Sequence, residues 1–300
     1  MRRFQAFSRI LTMSDSIHDI EATVTADVTR ALAEDVGSGD LTASLIPAAA
    51  RGTASVITRQ DAVLCGSEWF DRCYTELDPD CEIFWHARDG DALVAGQPIC
   101  EISGNARTML TAERSSLNFL ATLSGVATQT QRYVKAVAGT NARILDTRKT
   151  IPGLRMALKY AVRTGGGHNH RIGLFDGILI KENHILSAGG IRPALEAAYA
   201  LVKHAAPRDT MIEVEVENLA QLREALDCKA TLILLDNFNL EDMRTARAMT
   251  GTRIELEASG GINLQTVRMV AATGVDRISV GSLTKDIQAV DLSMRFRLHG

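Results

Sequence analysis

Six short runs decide the fold: ARILD (142–146), DGILIK (176–181), IEVEVE (212–217), TLILLD (231–236), RIELEAS (253–259) and DRISVG (276–281). Each is rich in β-branched or apolar residues and is trailed by a segment with helical spacing. Strands that alternate with helices imply parallel βαβ units. Six of them predict a short parallel β/α barrel over residues 126–284, below the usual eight strands. An open doubly wound sheet is the competing arrangement.

Upstream of these runs, Thr111 to Gly139 reads as a long helix with Thr111 as N-cap and an interruption at Ser124-Gly125. Gly52 to Ile102 alternates β-rich runs (TASVIT, AVLCG, CEIFWHA) with turn signals. Its DGDALVAGQPICEISG is similar to the hammerhead of lipoyl-carrier domains but lacks their modified lysine, so it is taken as architecture. Ile17 to Ala33 predicts a helix, broken by GSGDLTASLIP. Residues 1–14 read as a flexible tail, with Met13 a second potential start and a weak likeness to a mitochondrial presequence.

The chain has 300 residues, 46% hydrophobic and 23% charged, the composition of an ordinary globular protein. Its 33 basic and 36 acidic residues nearly cancel, which excludes the overall basic field of a nonspecific nucleic-acid binder. No apolar run is long enough for a membrane-spanning helix. The five cysteines lack CxxC spacing and imply reduced thiols in a cytoplasmic setting.

Charge is distributed unevenly along the chain. From Arg143 to His184 there are eight Lys/Arg against three Asp/Glu, a local +5 that leaves −8 for the remainder of a chain of net charge −3. Barrel active sites lie at the C-terminal ends of strands, where Arg148, Lys149 and Lys181 fall. A solvated basic face is the plain alternative, and the strand-terminal positions of Arg148 and Lys181 weigh against it. Gly165-Gly166-Gly167 fits neither a P-loop nor a dinucleotide fingerprint. As a turn it can bring the following His-Asn-His-Arg over a pocket, where the Arg171 fork suits a carboxylate. His168 has no assignment.

Acidic residues follow a two-residue period. Glu213, Glu215 and Glu217 share one face of their strand, as do Glu255, Glu257 and Ser259 of theirs, and Asp236 ends another. If the apolar faces meet the helices, these carboxylates point into the barrel and need cations, a metal or ligand hydroxyls. Two late strand-to-helix links, Ser259-Gly260-Gly261 and Gly281-Ser282, expose backbone N–H groups that can surround a phosphate. Arg114 falls in the first turn of the predicted long helix, where the dipole disfavours a cation.

These residues together resemble the quinolinate phosphoribosyltransferase family, also called carboxylating nicotinate-nucleotide pyrophosphorylases. The likeness rests on GDLT (39–42), AERSSLNFLATLSGVAT (112–128), DTRKTIPGLR (146–155), GGGHNHRIGLFDGILIKENHI (165–185), EVEVEN, LLDNF, EASGGI and SVGSLTK. It implies an α/β fold: an N-terminal α/β sandwich over 15–125, the C-terminal barrel, and a final helix, 285–300, packing back on the first domain. It also implies a homodimer with shared sites. By the same likeness Thr147, Arg148, Lys149, His170, Arg171 and Lys181 would hold the quinolinate carboxylates or the diphosphate, with Arg114 reaching in from the partner subunit. Lys149, Lys181, Glu215 and Asp236 would be catalytic, the last two meeting ribose hydroxyls or the magnesium that accompanies phosphoribosyl diphosphate. Ser259, Gly260, Gly261, Gly281 and Ser282 would receive the 5-phosphate. No organic cofactor, nucleic acid or membrane is expected.

Three other readings compete: a related transferase that uses nicotinate without decarboxylation, an aldolase with Lys181 as Schiff-base nucleophile, and a non-catalytic anion binder. The cations around Arg148 and Arg171 favour a dicarboxylate.

Overall fold

The computed structural model describes residues 16–204 and 210–299. The tail assigned to residues 1–14 lies outside the described residues. The chain divides into two compact units, one running to Leu123 and resumed from Val290, the other spanning Ser124–Ala289.

The first unit opens with helix α1 (Ser16–Val36) and a 3-10 turn (Ala43–Leu45). Asp40 of the GDLT motif shapes that turn, accepting the Thr42 and Ala43 amides at 2.9 Å each and the Thr111 hydroxyl at 2.9 Å. Strands β1 (Arg51–Thr58), β2 (Ala62–Val63), β3 (Glu82–Trp85), β4 (Ala92–Leu93) and β5 (Pro98–Asn105) follow, with α2 (Ser67–Thr75) after β2. A four-stranded antiparallel sheet has the order β12-β1-β5-β3, where β12 is Leu292–Leu298.

That last strand corrects the expectation of a C-terminal helix over 285–300. Leu292, Met294, Phe296 and Leu298 alternate with Ser293, Arg295 and Arg297, a period of two that suits a strand. The segment pairs antiparallel with β1 from Thr58↔Leu292 to Gly52↔Leu298. Phe296 lies so close over Gly52 that a Cβ there would come within 2.6 Å of its ring, so this neighbour requires glycine.

The long helix α3 (Ala106–Ala136) begins five residues before the predicted start. Asn105, not Thr111, caps it: the Asn105 side-chain oxygen accepts the Arg107 amide at 2.9 Å. Thr111 instead turns its hydroxyl to Asp40 and to the Arg107 carbonyl. Nor does α3 break at Ser124-Gly125. Gly125 is there because the chain passes close by, and a Cβ would meet the Gln288 carbonyl oxygen at 2.2 Å.

The second unit holds six parallel strands: β6 (Arg143–Leu145), β7 (Gly177–Ile180), β8 (Met211–Val216), β9 (Leu232–Asp236), β10 (Glu255–Ser259) and β11 (Arg277–Ser279). Helices α4 (Arg155–Thr164), α5 (Glu182–Ala188), α6 (Ile191–His204), α7 (Leu219–Asp227), α8 (Leu240–Thr250), α9 (Val267–Ala271) and α10 (Ser282–Lys285) alternate with them. Their order is β6-β11-β10-β9-β8-β7. The first strand therefore neighbours the last, as in a barrel, and the switch point of a doubly wound sheet is absent among the described strands. Strand β9 is buried along Leu232–Leu235, as expected where helices cover one face and a filled interior the other.

The ring has one seam. No ladder joins β6 to β7, and the link between them supplies a single parallel bridge, Leu145↔His168. The His168 amide donates to the Ile144 carbonyl at 2.8 Å, and its carbonyl accepts the Asp146 amide at 3.1 Å. His168 thus serves through its backbone, with its side chain exposed. Of the three glycines before it, two serve packing, since a Cβ at Gly165 would lie 2.4 Å from the Ala127 carbonyl oxygen and one at Gly167 would lie 2.8 Å from Thr130 on α3, while Gly166 takes a left-handed φ of +86°.

Candidate active site

The C-terminal ends of the barrel strands surround a cavity of about 880 Å³. From β6 and its loop come Thr147, Arg148 and Lys149; from the seam, His170 and Arg171; from the end of β7, Lys181. Glu215 ends the inward row of β8, and Asp236 closes β9. Ser259, Gly260, Gly261, Gly281 and Ser282 line the far side. Every site residue expected on the barrel thus faces one cavity. Arg114 does not line it; it belongs to the first unit, exposed in the third turn of α3, so its placement at a helix start was wrong. The cavity also takes in Asn237, Glu257, Asn263, Lys285 and Asp286. Of these, Glu257 carried the inward period of its strand, and Asn237 and Lys285 fall within the LLDNF and SVGSLTK motifs, whereas Asn263 and Asp286 carried no signal.

Buried charge organises the basic wall. Asp146 and Lys159 form an ion pair, with 0% and 3% of their side chains exposed. Burial pushes the Asp146 carboxyl up and the Lys159 ammonium down, and each offsets this for the other. Asp146 also accepts the Asn169 side chain at 2.5 Å and the His170 amide at 2.9 Å, while Lys159 donates to the His170 carbonyl at 2.9 Å. This pair pins the seam from beneath. Burial and the neighbouring Arg148 both lower the Arg171 pKa, as expected where two guanidinium groups face one space. The Arg148 Nε is buried without a hydrogen-bond partner, a donor that an anion would satisfy.

Glu215 accepts from Lys181 at 2.5 Å, and Asp236 accepts the Asn237 side chain at 2.8 Å. Both carboxylates line the cavity. Gly260 has φ +106°, and a Cβ would fall 2.1 Å from the Asn237 side-chain oxygen. Gly260→Ala is therefore expected to displace the Asn237 and Gly260 loops together and to weaken phosphate binding by tenfold or more, roughly 1.4 kcal/mol. Titration with inorganic phosphate checks this, and unchanged affinity would count against the loop as a phosphate site.

Beneath the mouth, the inward rows behave differently at each level. Glu255 pairs with Arg143 at 2.6 Å and with Arg277, all three at the N-terminal ends of their strands. One layer up, Glu213 and Glu257 are fully buried and meet His170 across the barrel, at 2.8 and 3.6 Å from its Nε2. Glu217 lies beyond β8 and is exposed. Burial raises the Glu257 pKa to about 8 and the Glu213 pKa to about 7, each group also opposed or assisted by charges around it. One His and two carboxylates within 4.8 Å of one another have the makings of a metal site. The hydrogen bonds argue otherwise: His170 Nδ1 accepts the Arg171 amide, so the ring proton is on Nε2, the nitrogen a metal would need.

Because the Glu257 pKa is raised from 4.5 to about 8 by folding, the folded state holds that proton more tightly than the unfolded chain. Its contribution to stability is full below the unfolded value and lost as pH rises through the folded one. Glu257→Gln, which cannot ionise, should flatten the fall in unfolding midpoint between about pH 5 and 8. Melts across that range with an unchanged slope would show that Glu257 does not carry it.

A parallel β/α barrel with cations, carboxylates and glycine turns converging at its mouth defines an enzyme that handles anionic, phosphorylated substrates. Residues 126–295 match the family model described as quinolinate phosphoribosyl transferase, C-terminal domain, and residues 40–124 match that of the N-terminal domain. The chain belongs to the quinolinate phosphoribosyltransferase family. It is similar to the probable nicotinate-nucleotide pyrophosphorylase [carboxylating] of Bacillus subtilis, 41% identical and covering 87% of this chain and 89% of that protein. It is also 41% identical to the nicotinate-nucleotide pyrophosphorylase [carboxylating] of Mycobacterium leprae, over 89% of this chain and 95% of the relative. Among solved structures, the nicotinate-nucleotide pyrophosphorylase of Francisella tularensis superposes with a TM-score of 0.88 at 46% identity, covering 92% of this chain and 96% of that one.

Proposed function

We infer that the chain transfers phosphoribosyl from phosphoribosyl diphosphate to quinolinate and decarboxylates the product, giving nicotinate mononucleotide, diphosphate and carbon dioxide in de novo NAD biosynthesis. Within this family, the observation that carries the reading is the convergence of Arg148, Lys149, Arg171 and Lys181 opposite the glycine turns in one cavity. Arg148, Lys149, Arg171 and Lys181 hold the two carboxylates and the diphosphate, with Thr147 beside them. Ser259, Gly260, Gly261, Gly281 and Ser282 take the 5-phosphate. His170 has both ring nitrogens engaged within the protein and forms the wall.

Glu215 and Asp236 present hard carboxylate oxygens on adjacent strands, a donor set that fits magnesium shared with substrate phosphates. Bound there, the ion would neutralise the departing diphosphate. As the pyridine nitrogen attacks the anomeric carbon, Glu215 stabilises the positive charge that develops on the ribose. Lys149 and Lys181 balance the leaving group. Ribosylation makes the ring nitrogen cationic, so loss of the 2-carboxylate leaves its electron pair beside a built-in sink, without an organic cofactor. The aldolase reading fares worse, because the chain matches the quinolinate phosphoribosyltransferase family over both of its domains.

Pure protein incubated with quinolinate, phosphoribosyl diphosphate and magnesium should release carbon dioxide and nucleotide in equal amounts. Nucleotide from nicotinate, with no carbon dioxide from quinolinate, would select the non-decarboxylating alternative. The protein works as a homodimer in a cytoplasmic setting, a reading that rests on the family likeness and on five cysteines without CxxC spacing. No described helix is long and apolar enough to cross a membrane. Arg114, exposed within ERSSLNFL, serves the partner's site. Mixed Arg114→Ala and Lys181→Ala chains should then recover roughly a quarter of wild-type activity, since half the dimers form one intact site of two. Verified subunit exchange with no recovery would return Arg114 to its own chain.

A further inference from the structure

Every polar atom of His170 is committed. Its amide donates to Asp146 Oδ1, its carbonyl accepts from Lys159 Nζ, and its Nδ1 accepts the Arg171 amide at 2.7 Å. A nitrogen that accepts from an amide carries the lone pair, so the proton is on Nε2 and points to Glu213 Oε2, 2.8 Å away. Glu213 is fully buried and does not line the cavity. The residue after His170 is Arg171, whose guanidinium Nη1 donates to the Gly177 carbonyl at 2.9 Å. Arg171 stands on the irregular seam, where no strand ladder holds its backbone. A planar fork recognises a carboxylate only when both its position and its plane are fixed.

We propose that Glu213 is a positioning residue for the pyridine dicarboxylate: by fixing the His170 ring it holds the Arg171 amide, and so aims the Arg171 guanidinium into the cavity. This rests on the reading of Arg171 as a carboxylate ligand. Glu257, 3.6 Å from the same nitrogen, backs the arrangement from a second strand.

The test is a double-mutant cycle in steady-state kinetics. Glu213→Ala should raise the KM for quinolinate roughly tenfold, as expected for leaving the buried His170 Nε2 donor without its acceptor, and leave the KM for phosphoribosyl diphosphate within about twofold. Glu213→Gln, which keeps an acceptor oxygen, should restore most of the affinity. In a His170→Ala background Glu213→Ala should add nothing, because the path through His170 is already cut. Equal rises for both substrates, or additive losses in the double variant, would overturn the proposal. If Arg171→Ala leaves the quinolinate KM unchanged, the carboxylate reading and the proposal fall together. If it raises that KM while Glu213→Ala does not, only the proposal falls. Should the alanine variants fail to fold, nitrogen-15 NMR of labelled histidine in the native protein decides: a proton on Nε2 of His170 supports the path, and one on Nδ1 overturns it.

Discussion

Lys159→Met is expected to cost about 3–5 kcal/mol of folding stability, because it leaves the Asp146 carboxylate buried without its counter-charge. Asp146 has no exposed side-chain surface and Lys159 only 3%, so water cannot replace the lost partner. The damage should extend to function. Lys159 also holds the His170 carbonyl, so the seam that carries Arg171 loosens along with the core. Urea unfolding measures the first effect and the quinolinate KM the second. Lys159→Met combined with Asp146→Leu removes both charges and should recover much of the stability. It should not recover the affinity, since the His170 amide has then lost its acceptor. Recovery of both would mean that the pair serves stability alone.

Glu215→Gln and Asp236→Asn should each lower kcat by about a hundredfold or more, the scale of removing a group that stabilises transition-state charge or holds a metal ion. Quinolinate binding, measured by equilibrium dialysis without the second substrate, should stay nearly intact, because the carboxylates face the ribose and diphosphate. Either variant turning over normally at saturating magnesium would remove that residue from the chemistry.

The barrel was legible in the sequence because each strand carries its own signal, an apolar run with acids or bases at alternate or terminal positions. The same logic placed Arg148, Lys181, Glu215 and Asp236 at strand ends, where the structure brings them together. Other features depend on partners remote in the chain. Lys159 follows Asp146 within one strand–helix unit, yet neither residue signals the other in the sequence, and Glu213 on β8 meets His170 on the seam only through closure of the barrel. Arg114 was misplaced because Asn105 starts the helix earlier than Thr111 would. The final strand was missed because its two-residue alternation was outweighed by the helix that the family likeness implied, and it becomes decisive only beside β1.

The seam between β6 and β7 has an evolutionary consequence. Five strand pairs are tied by backbone ladders, which constrain register whatever the side chains are. The sixth gap is spanned by the 168–176 link, held by side chains and one bridge. Substitutions there can redraw the ligand-facing wall while the rest of the barrel keeps its pairing. A fold with one untied junction can therefore diversify in what it recognises at low cost to what it is.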